Sequence, residues 1–207
     1  MDKIYKDIYY IISMSIIHTL HEHDTVLIHG TSIEATVHLL KTGIFDFRIN
    51  DRDDYQGYLF FAPNGKYFIN NSLGLKLDDC YWDKSICSAS FYAKYNADMH
   101  YAISNVQFKP EDISTISNNE DKNLIMPEIR KNGYNFKYFI KLMKECEQRK
   151  GVLIGFNEKI FEKNIERDQD VPKNEVGIHL PKGISIDYIS GIQPLGLIEE
   201  KIIKNLH

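Results

Sequence analysis

A chain of 207 residues, 43% hydrophobic and 26% charged, has the length and composition of one soluble globular domain. A formal charge of -4 and a pI near 6.1 argue against a broad basic nucleic-acid surface, leaving room only for a local basic groove. The three cysteines, Cys80, Cys87 and Cys146, are odd in number and form no C-x-x-C pair, which argues against a disulfide framework or a zinc site and points to folding in a reducing compartment.

The most apolar stretch near the start, residues 8–20, falls short of the roughly 18 apolar residues that span a bilayer. Asp2 and Asp7 offset Lys3 and Lys6, and no small-residue cleavage site comes after them, so a secretory signal is disfavoured. Ile4, Ile8, Ile11 and Ile12 share a helical face, and residues 1–22 read as an amphipathic N-terminal helix. His18, His21 and His23 come next. Histidines so close can ligate a metal, but H-x-x-H-x-H lacks a completing ligand at a known spacing, and a solvated turn is the simpler reading.

Val26, Leu27 and Ile28 read as the end of a buried strand, because short apolar runs bounded by turn residues suit that role. The run stops at His29-Gly30-Thr31-Ser32, where glycine lets a ligand approach the backbone and the hydroxyls can cap the next helix. From Ser32, the residues Ile33, Val37, Leu40 and Ile44 repeat at helical spacing, Glu34 complements the helix dipole, and Gly43 is the expected stop. A histidine held between a strand and a helix N-terminus suits recognition of a polar ligand.

Residues 46–56 are charged and read as a loop, and Gly57 to Pro63 as an aromatic strand closed by a Pro-Asn-Gly turn. Residues 64–84 look like an inserted irregular loop, 85–99 a helix, Tyr101 to Phe108 an alternating strand, and 109–128 an exposed loop. A second amphipathic helix is expected over 135–150, a buried strand over Val152 to Phe156, and a charged loop over 157–173 that begins with a helical turn. Glu175 to Leu180 and Ile184 to Ile192 read as strands, and the tail carrying Glu199 as exposed and helical. Short strands among three helices and irregular loops predict an α+β domain rather than regular βαβ alternation.

The His-Gly-Thr at a strand end, with Leu39-Leu40-Lys41-Thr42-Gly43-Ile44 after it, resembles the first motif of ADP-ribosyltransferases of the diphtheria toxin and poly(ADP-ribose) polymerase branch. In that family an aromatic strand comes next, and Gly57-Tyr58-Leu59-Phe60-Phe61-Ala62 resembles it, with Phe60 where tyrosine is usual. A helix tyrosine then stacks on nicotinamide. Two placements are open: Tyr67 just after the strand, or Tyr92 and Tyr95 on a helix displaced by the 64–84 insertion. The small residues Ser88, Ala89, Ser90 and Ala93, which let a helix pack close to a ligand, favour the second. Asn174-Glu175-Val176-Gly177-Ile178, with Ile184-Ser185-Ile186-Asp187-Tyr188-Ile189 after it, is similar to the family's C-terminal strand, which opens on the catalytic glutamate. That maps onto Glu175. No Ser-Thr-Ser strand is present, so the arginine-directed branch fits less well.

Over residues 26–192 the resemblance implies an α+β fold with a split, mostly antiparallel sheet flanked by helices, in a single domain spanning 1–207. It implies NAD as co-substrate and a macromolecular acceptor, most often protein, with a nucleic acid acceptor left open. His29, Tyr92 and Glu175 would be catalytic, and His29, Gly30, Thr31, Ser32, Tyr58, Phe60, Tyr92 and Tyr95 would line the NAD site, with no metal. Cleavage of the nicotinamide–ribose bond passes through an oxocarbenium-like state, as in glycoside cleavage. Glu175 would stabilise that cation, Gly30 would present its N–H and C=O to the carboxamide, His29 would bond a ribose hydroxyl, and Thr31 or Ser32 would assist. Mono-ADP-ribosyl transfer is the expected activity, by a cytoplasmic protein or one delivered into a target cell as a toxin or effector. NAD glycohydrolysis and an inactive NAD- or ADP-ribose-binding module are the alternatives.

Overall fold

The computed structural model describes residues 15–45, 58–68, 75, 77–106, 144–145, 147–163, 165–166, 175–180 and 182–206. The expected N-terminal helix lies mostly outside these residues, as do the loops over 46–56 and 109–128. Of the helix expected over 135–150, residues 144, 145, 147 and 148 are helical, whereas 149 and 150, also described, are not.

Strand β1 (Leu27–Thr31) sits inside a six-stranded sheet with β3 (Tyr58–Pro63), β4 (Val152–Phe156), β5 (Ile165–Glu166), β6 (Val176–His179) and β8 (Ile189–Pro194), in the order β5-β6-β3-β1-β4-β8. The pairings within it are antiparallel. Strands β2 (Ile44–Phe45) and β7 (Ile184–Ser185) make a separate antiparallel pair. The helices whose bounds fall among the described residues are α1 (Ile33–Thr42), α2 (Trp82–Val106) and α3 (Leu197–Lys204). The mixed α+β class and mostly antiparallel sheet are those expected from sequence. No helix among the described residues is long and apolar enough to cross a membrane.

The sheet forks beside β1. This strand pairs with β4 along its whole length, from Leu27↔Phe156 to Thr31↔Val152. It pairs with β3 only at Leu27↔Pro63 and Ile28↔Ala62, while β3 continues with β6 from Phe61↔Val176 to Tyr58↔His179. Side-chain alternation divides the core between the two faces of the sheet. Ile28, Ala62 and Leu153 pack with Leu20, Ala89 and Ala93 on the face covered by α2. Leu27, Phe61, Val152, Ile154, Phe156, Val176 and Ile178 build the larger core on the other, where Phe61 and Phe156 meet edge to face at 5.1 Å.

Helix α2 reaches this close to β1 because two glycines lie beneath it. A Cβ on Gly30 would fall 1.8 Å from the Ala89 carbonyl oxygen, and one on Gly151 would fall 2.3 Å from that of Ala93. Gly151 also has φ of +81°, in the left-handed region that glycine tolerates. The small residues Ala89 and Ala93 thus serve helix–strand packing rather than approach to a ligand. Ser85 anchors the start of the helix by donating to the Pro63 carbonyl at 2.7 Å.

Several elements differ from expectation for identifiable reasons. Residues 101–106 are the last turns of α2, not a strand: no glycine or proline lies between Trp82 and Val106, and each added residue propagates the existing helix. His29, Gly30 and Thr31 lie within β1 rather than in a turn, because β4 partners all five residues of the strand. In α1 the fully buried residues are Ile33, Ala35, Thr36 and Leu39, with Val37 and Leu40 partly buried against the same core. The expected charged loop begins with a 3-10 turn over Glu158–Glu162 and then carries β5, which pairs with β6. The apolar run 184–192 is divided into β7, a 3-10 turn over Ile186–Tyr188 and β8.

Glu199 is buried, not exposed, with 0% of its surface accessible. Its Oε1 accepts from the backbone N–H of Lys150 at 3.0 Å and of Gly151 at 3.1 Å, fixing the corner that starts β4. Removing this acceptor leaves the N–H groups at that corner without a partner, a loss of about 2–3 kcal/mol. Glu199→Ala should therefore lower unfolding stability in urea by roughly that amount, and the half-buried neighbour Glu200→Ala by less than about 0.5 kcal/mol. Equal midpoints for the two variants would contradict the role given to Glu199.

Candidate functional site

Glu175 stands immediately before β6 with only 5% of its surface exposed. Gly177 pairs with Phe60, and alternation puts Glu175 and Phe60 on the face covered by α2. There the Tyr92 hydroxyl lies beside the Glu175 carboxylate, close enough for each to shift the other's titration. Burial pushes the Glu175 carboxyl upward, and the Tyr92 hydroxyl pulls the other way. The Tyr92 hydroxyl is itself held well above the usual phenol range, first by burial and then by the carboxylate beside it. Two residues far apart in the chain are thereby brought together. Tyr92 remains 37% exposed and Phe91, edge-on to its ring at 5.6 Å, is 69% exposed, so this pair opens on the surface.

His29 sits at the fork. Its Nδ1 lies 2.7 Å from the carbonyl oxygen of Phe60. A carbonyl only accepts, so Nδ1 carries the proton and Nε2 keeps its lone pair. The ring meets Phe45 and Phe61 edge-on at 5.4 and 5.8 Å. Burial pushes the imidazole down to about 4, the bond to Phe60 opposing this only in part. Both aromatic contacts belong to the core on the side away from α2. Among the described residues no hydrogen bond or ring contact joins His29 to Tyr92 or Glu175. The histidine supplies a neutral acceptor at the fork, separate from the Tyr92–Glu175 pair.

Gly30 is buried between β4 and α2. Its carbonyl accepts from Asn96 Nδ2 at 2.9 Å, so the half-buried Asn96 joins the site although it belongs to no motif. The available signal was spacing: Asn96 lies four residues beyond Tyr92 on the same helix face.

Thr31 and Ser32 are both buried at the junction of β1 and α1. They are 3% and 0% exposed, and the Ser32 hydroxyl caps α1 by accepting from Ala35 N–H at 3.2 Å. Glu34, in the first turn of α1, pairs with Arg149 at 2.8 Å. At the helix N-terminus the Ser32 cap takes up the N–H of Ala35 from within the protein. Gly43 closes α1 as expected, at φ 72°.

The aromatic candidates separate clearly. Tyr67 donates to the His23 carbonyl, and Asn64 Nδ2 donates to the Glu22 and Thr25 carbonyls at 2.9 Å. Together they pin the histidine-rich turn. Tyr95 is half-buried on α2. Tyr58 opens β3, but its side chain lies outside the described residues. Within the turn, His18 and His21 stack at 5.7 Å and His21 and His23 at 5.6 Å, so the rings face one another instead of converging on a point. Comparisons with protein families, with curated proteins and with solved structures each found no match.

Titration of His29 gives a stability signature. The unfolded imidazole protonates near 6.5 and the folded one near 4, so between these values the unfolded chain binds more protons. Stability is therefore retained above about pH 6.5 and falls as pH drops through that window, by up to about 3 kcal/mol. Glu175, shifted upward, acts in the opposite sense over its own range, equally in wild type and in a His29 variant. Urea unfolding at about pH 7.5 and about pH 4.5 should show a markedly smaller loss for His29→Asn than for wild type. Equal losses would contradict the burial of a neutral imidazole.

Proposed function

We propose that the chain is an NAD-dependent mono-ADP-ribosyltransferase that cleaves the nicotinamide–ribose bond and passes ADP-ribose to a macromolecular acceptor, in the first place a protein. What supports this reading is the placing of Tyr92 beside Glu175 on the α2 face of the sheet, close enough for each to shift the other's titration. The helix tyrosine and the strand-opening glutamate are separate in sequence, yet each is expected at one catalytic centre of the ADP-ribosyltransferase family. The forked antiparallel sheet is compatible with the split sheet of that family.

In this reading NAD is the substrate, and the nicotinamide ring lies against Tyr92. The ribose 2′-OH donates to Glu175, whose negative charge stabilises the oxocarbenium-like transition state. A well-placed group of this kind contributes about 3–4 kcal/mol. Nε2 of His29 is free to accept from a ribose hydroxyl on another part of the substrate. NAD glycohydrolysis is the same chemistry with water as acceptor. A binding module without turnover is the reading from a different class; Phe60 at the usual tyrosine position favours it.

Glu175→Gln keeps the size of the side chain and removes its charge. Nicotinamide release at saturating NAD should fall about 100-fold or more, with NAD-induced thermal stabilisation retained, because the charge acts on the transition state. Glu147, an exposed residue, is the matched control, since Glu199 is structural. Near-equal rates for wild type and the Glu175 variant would leave the binding module as the better account. A second comparison locates the ring platform: Tyr92→Ala should raise the KM for NAD far more than Tyr67→Ala, and the reverse order would move the platform to Tyr67.

A further inference from the structure

The histidine-rich turn takes no part in the site described above, yet a fully buried side chain is committed to holding it. Asn64, 0% exposed, gives its amide protons to the Glu22 and Thr25 carbonyls. Tyr67 donates to the carbonyl of His23, and the Asp24 N–H donates to that of His21 at 3.2 Å. Toward the N-terminus, the His18 N–H donates to the Ile192 carbonyl at 3.1 Å, where Ile17 and Ile192 form a parallel bridge on the edge of β8. The backbone that carries the three rings is therefore fixed at both ends. His21 and His23 are exposed, and exposed rings turn freely between rotamers.

The bonds made by these rings favour one kind of ligand. His18 Nδ1 lies 2.7 Å from the Thr19 carbonyl oxygen. A carbonyl only accepts, so Nδ1 carries the proton and Nε2 keeps its lone pair. Gly191, against this ring, has no Cβ, an atom that would stand 3.2 Å from Nε2. His23 Nε2 lies 3.1 Å from the Asp24 carboxylate, which leaves the lone pair of the neutral ring on Nδ1. Metal-ligating histidines adopt this arrangement, one N–H given to a carbonyl or carboxylate and the other nitrogen offered to the ion. His21 stacks between the two, its ring centre 5.7 Å from that of His18 and 5.6 Å from that of His23. Imidazoles that share one metal through bonds of about 2.1 Å have ring centres about 5–6 Å apart. Among the described residues no three ligating side chains converge as they stand, so coordination requires the rings to rotate on a backbone that stays in place.

We propose that His18, His21 and His23 bind one divalent transition metal of the zinc class, with Asp24 orienting His23 and water completing the coordination. Imidazole nitrogens suit zinc, nickel(II) or copper(II), whereas calcium and magnesium take oxygen ligands. The ion ties the segment bridged to the edge of β8 to the turn that leads into β1. It therefore fastens the start of the described chain to the sheet. The site uses none of the residues assigned to NAD and stands or falls without that reading.

The untagged full-length chain is titrated with Zn2+ alone by isothermal titration calorimetry at about pH 7.5, where imidazoles are free of protons. Wild type is expected to bind a single equivalent with a Kd in the micromolar range or tighter, and the ion to raise its melting temperature. His21→Ala and His23→Ala, both at exposed positions, are expected to weaken binding by about 30-fold or more, and Asp24→Asn by about tenfold. His38→Ala and Cys87→Ser, at exposed positions outside the turn, leave binding unchanged. At about pH 5.5 wild-type binding falls by about tenfold or more, because each imidazole must lose its proton to bind. Melts without metal confirm that each variant is folded. Wild-type binding no tighter than millimolar overturns the proposal. So does binding that persists in both His21→Ala and His23→Ala, or that is lost in His38→Ala or Cys87→Ser.

Discussion

Helix α2 lies on β1 at a separation that any side chain at Gly30 would prevent, the Ala89 carbonyl oxygen being 1.8 Å from where a Cβ would stand. The rest of the arrangement depends on that contact. It sets the height of α2 above the sheet, and so brings the Tyr92 hydroxyl to Glu175 and Asn96 to the Gly30 carbonyl. Gly151 repeats the contact one strand over, beneath Ala93. The buried Glu199 then holds the backbone at Gly151 by accepting its N–H. A chain of small residues and one buried carboxylate thus positions the polar groups, which lie at the margin of the packed region.

The division of the sheet gives His29 and Glu175 different surroundings. Glu175 shares the α2 face with Tyr92, while His29 packs between Phe45 and Phe61 near the larger core. The fork joins the two faces, because β1 and β3 stop pairing after Ile28↔Ala62 and His29 bonds across the gap to Phe60. An extended ligand with one end at Tyr92 and the other at the fork would meet a carboxylate, an aromatic face and a neutral imidazole acceptor. A dinucleotide has the polarity pattern to use all three.

Much of the architecture is written in local pattern. Gly43 and Ser32 bound α1 as their conformational preferences require, and the uninterrupted apolar run Val152–Phe156 is a strand buried throughout. No local pattern shows that Glu175 lies beside a helix tyrosine, since the two residues come from distant parts of the chain. Features fixed by tertiary contact were harder to read. Alternation in Tyr101 to Val106 imitates a strand, and the long preceding helix overrides it. Glu199 reads as a solvated charge, and only the unpaired N–H groups of a distant corner explain its burial. Asn96 carries no local signal beyond its spacing from Tyr92. Thr31 and Ser32 look like ligand hydroxyls in sequence, whereas the first turn of α1 consumes the Ser32 hydroxyl.

The claim that most needs measurement is that this site breaks the nicotinamide–ribose bond. Incubation of the purified protein with NAD labelled in its adenosine half, with and without cell lysate, then mass spectrometry of small molecules and macromolecules, addresses it directly. The expected result is free nicotinamide in step with loss of NAD, and labelled ADP-ribose attached to macromolecules when lysate is present. Intact NAD recovered in full, from a protein that is folded and saturated with it, would contradict bond cleavage at this site.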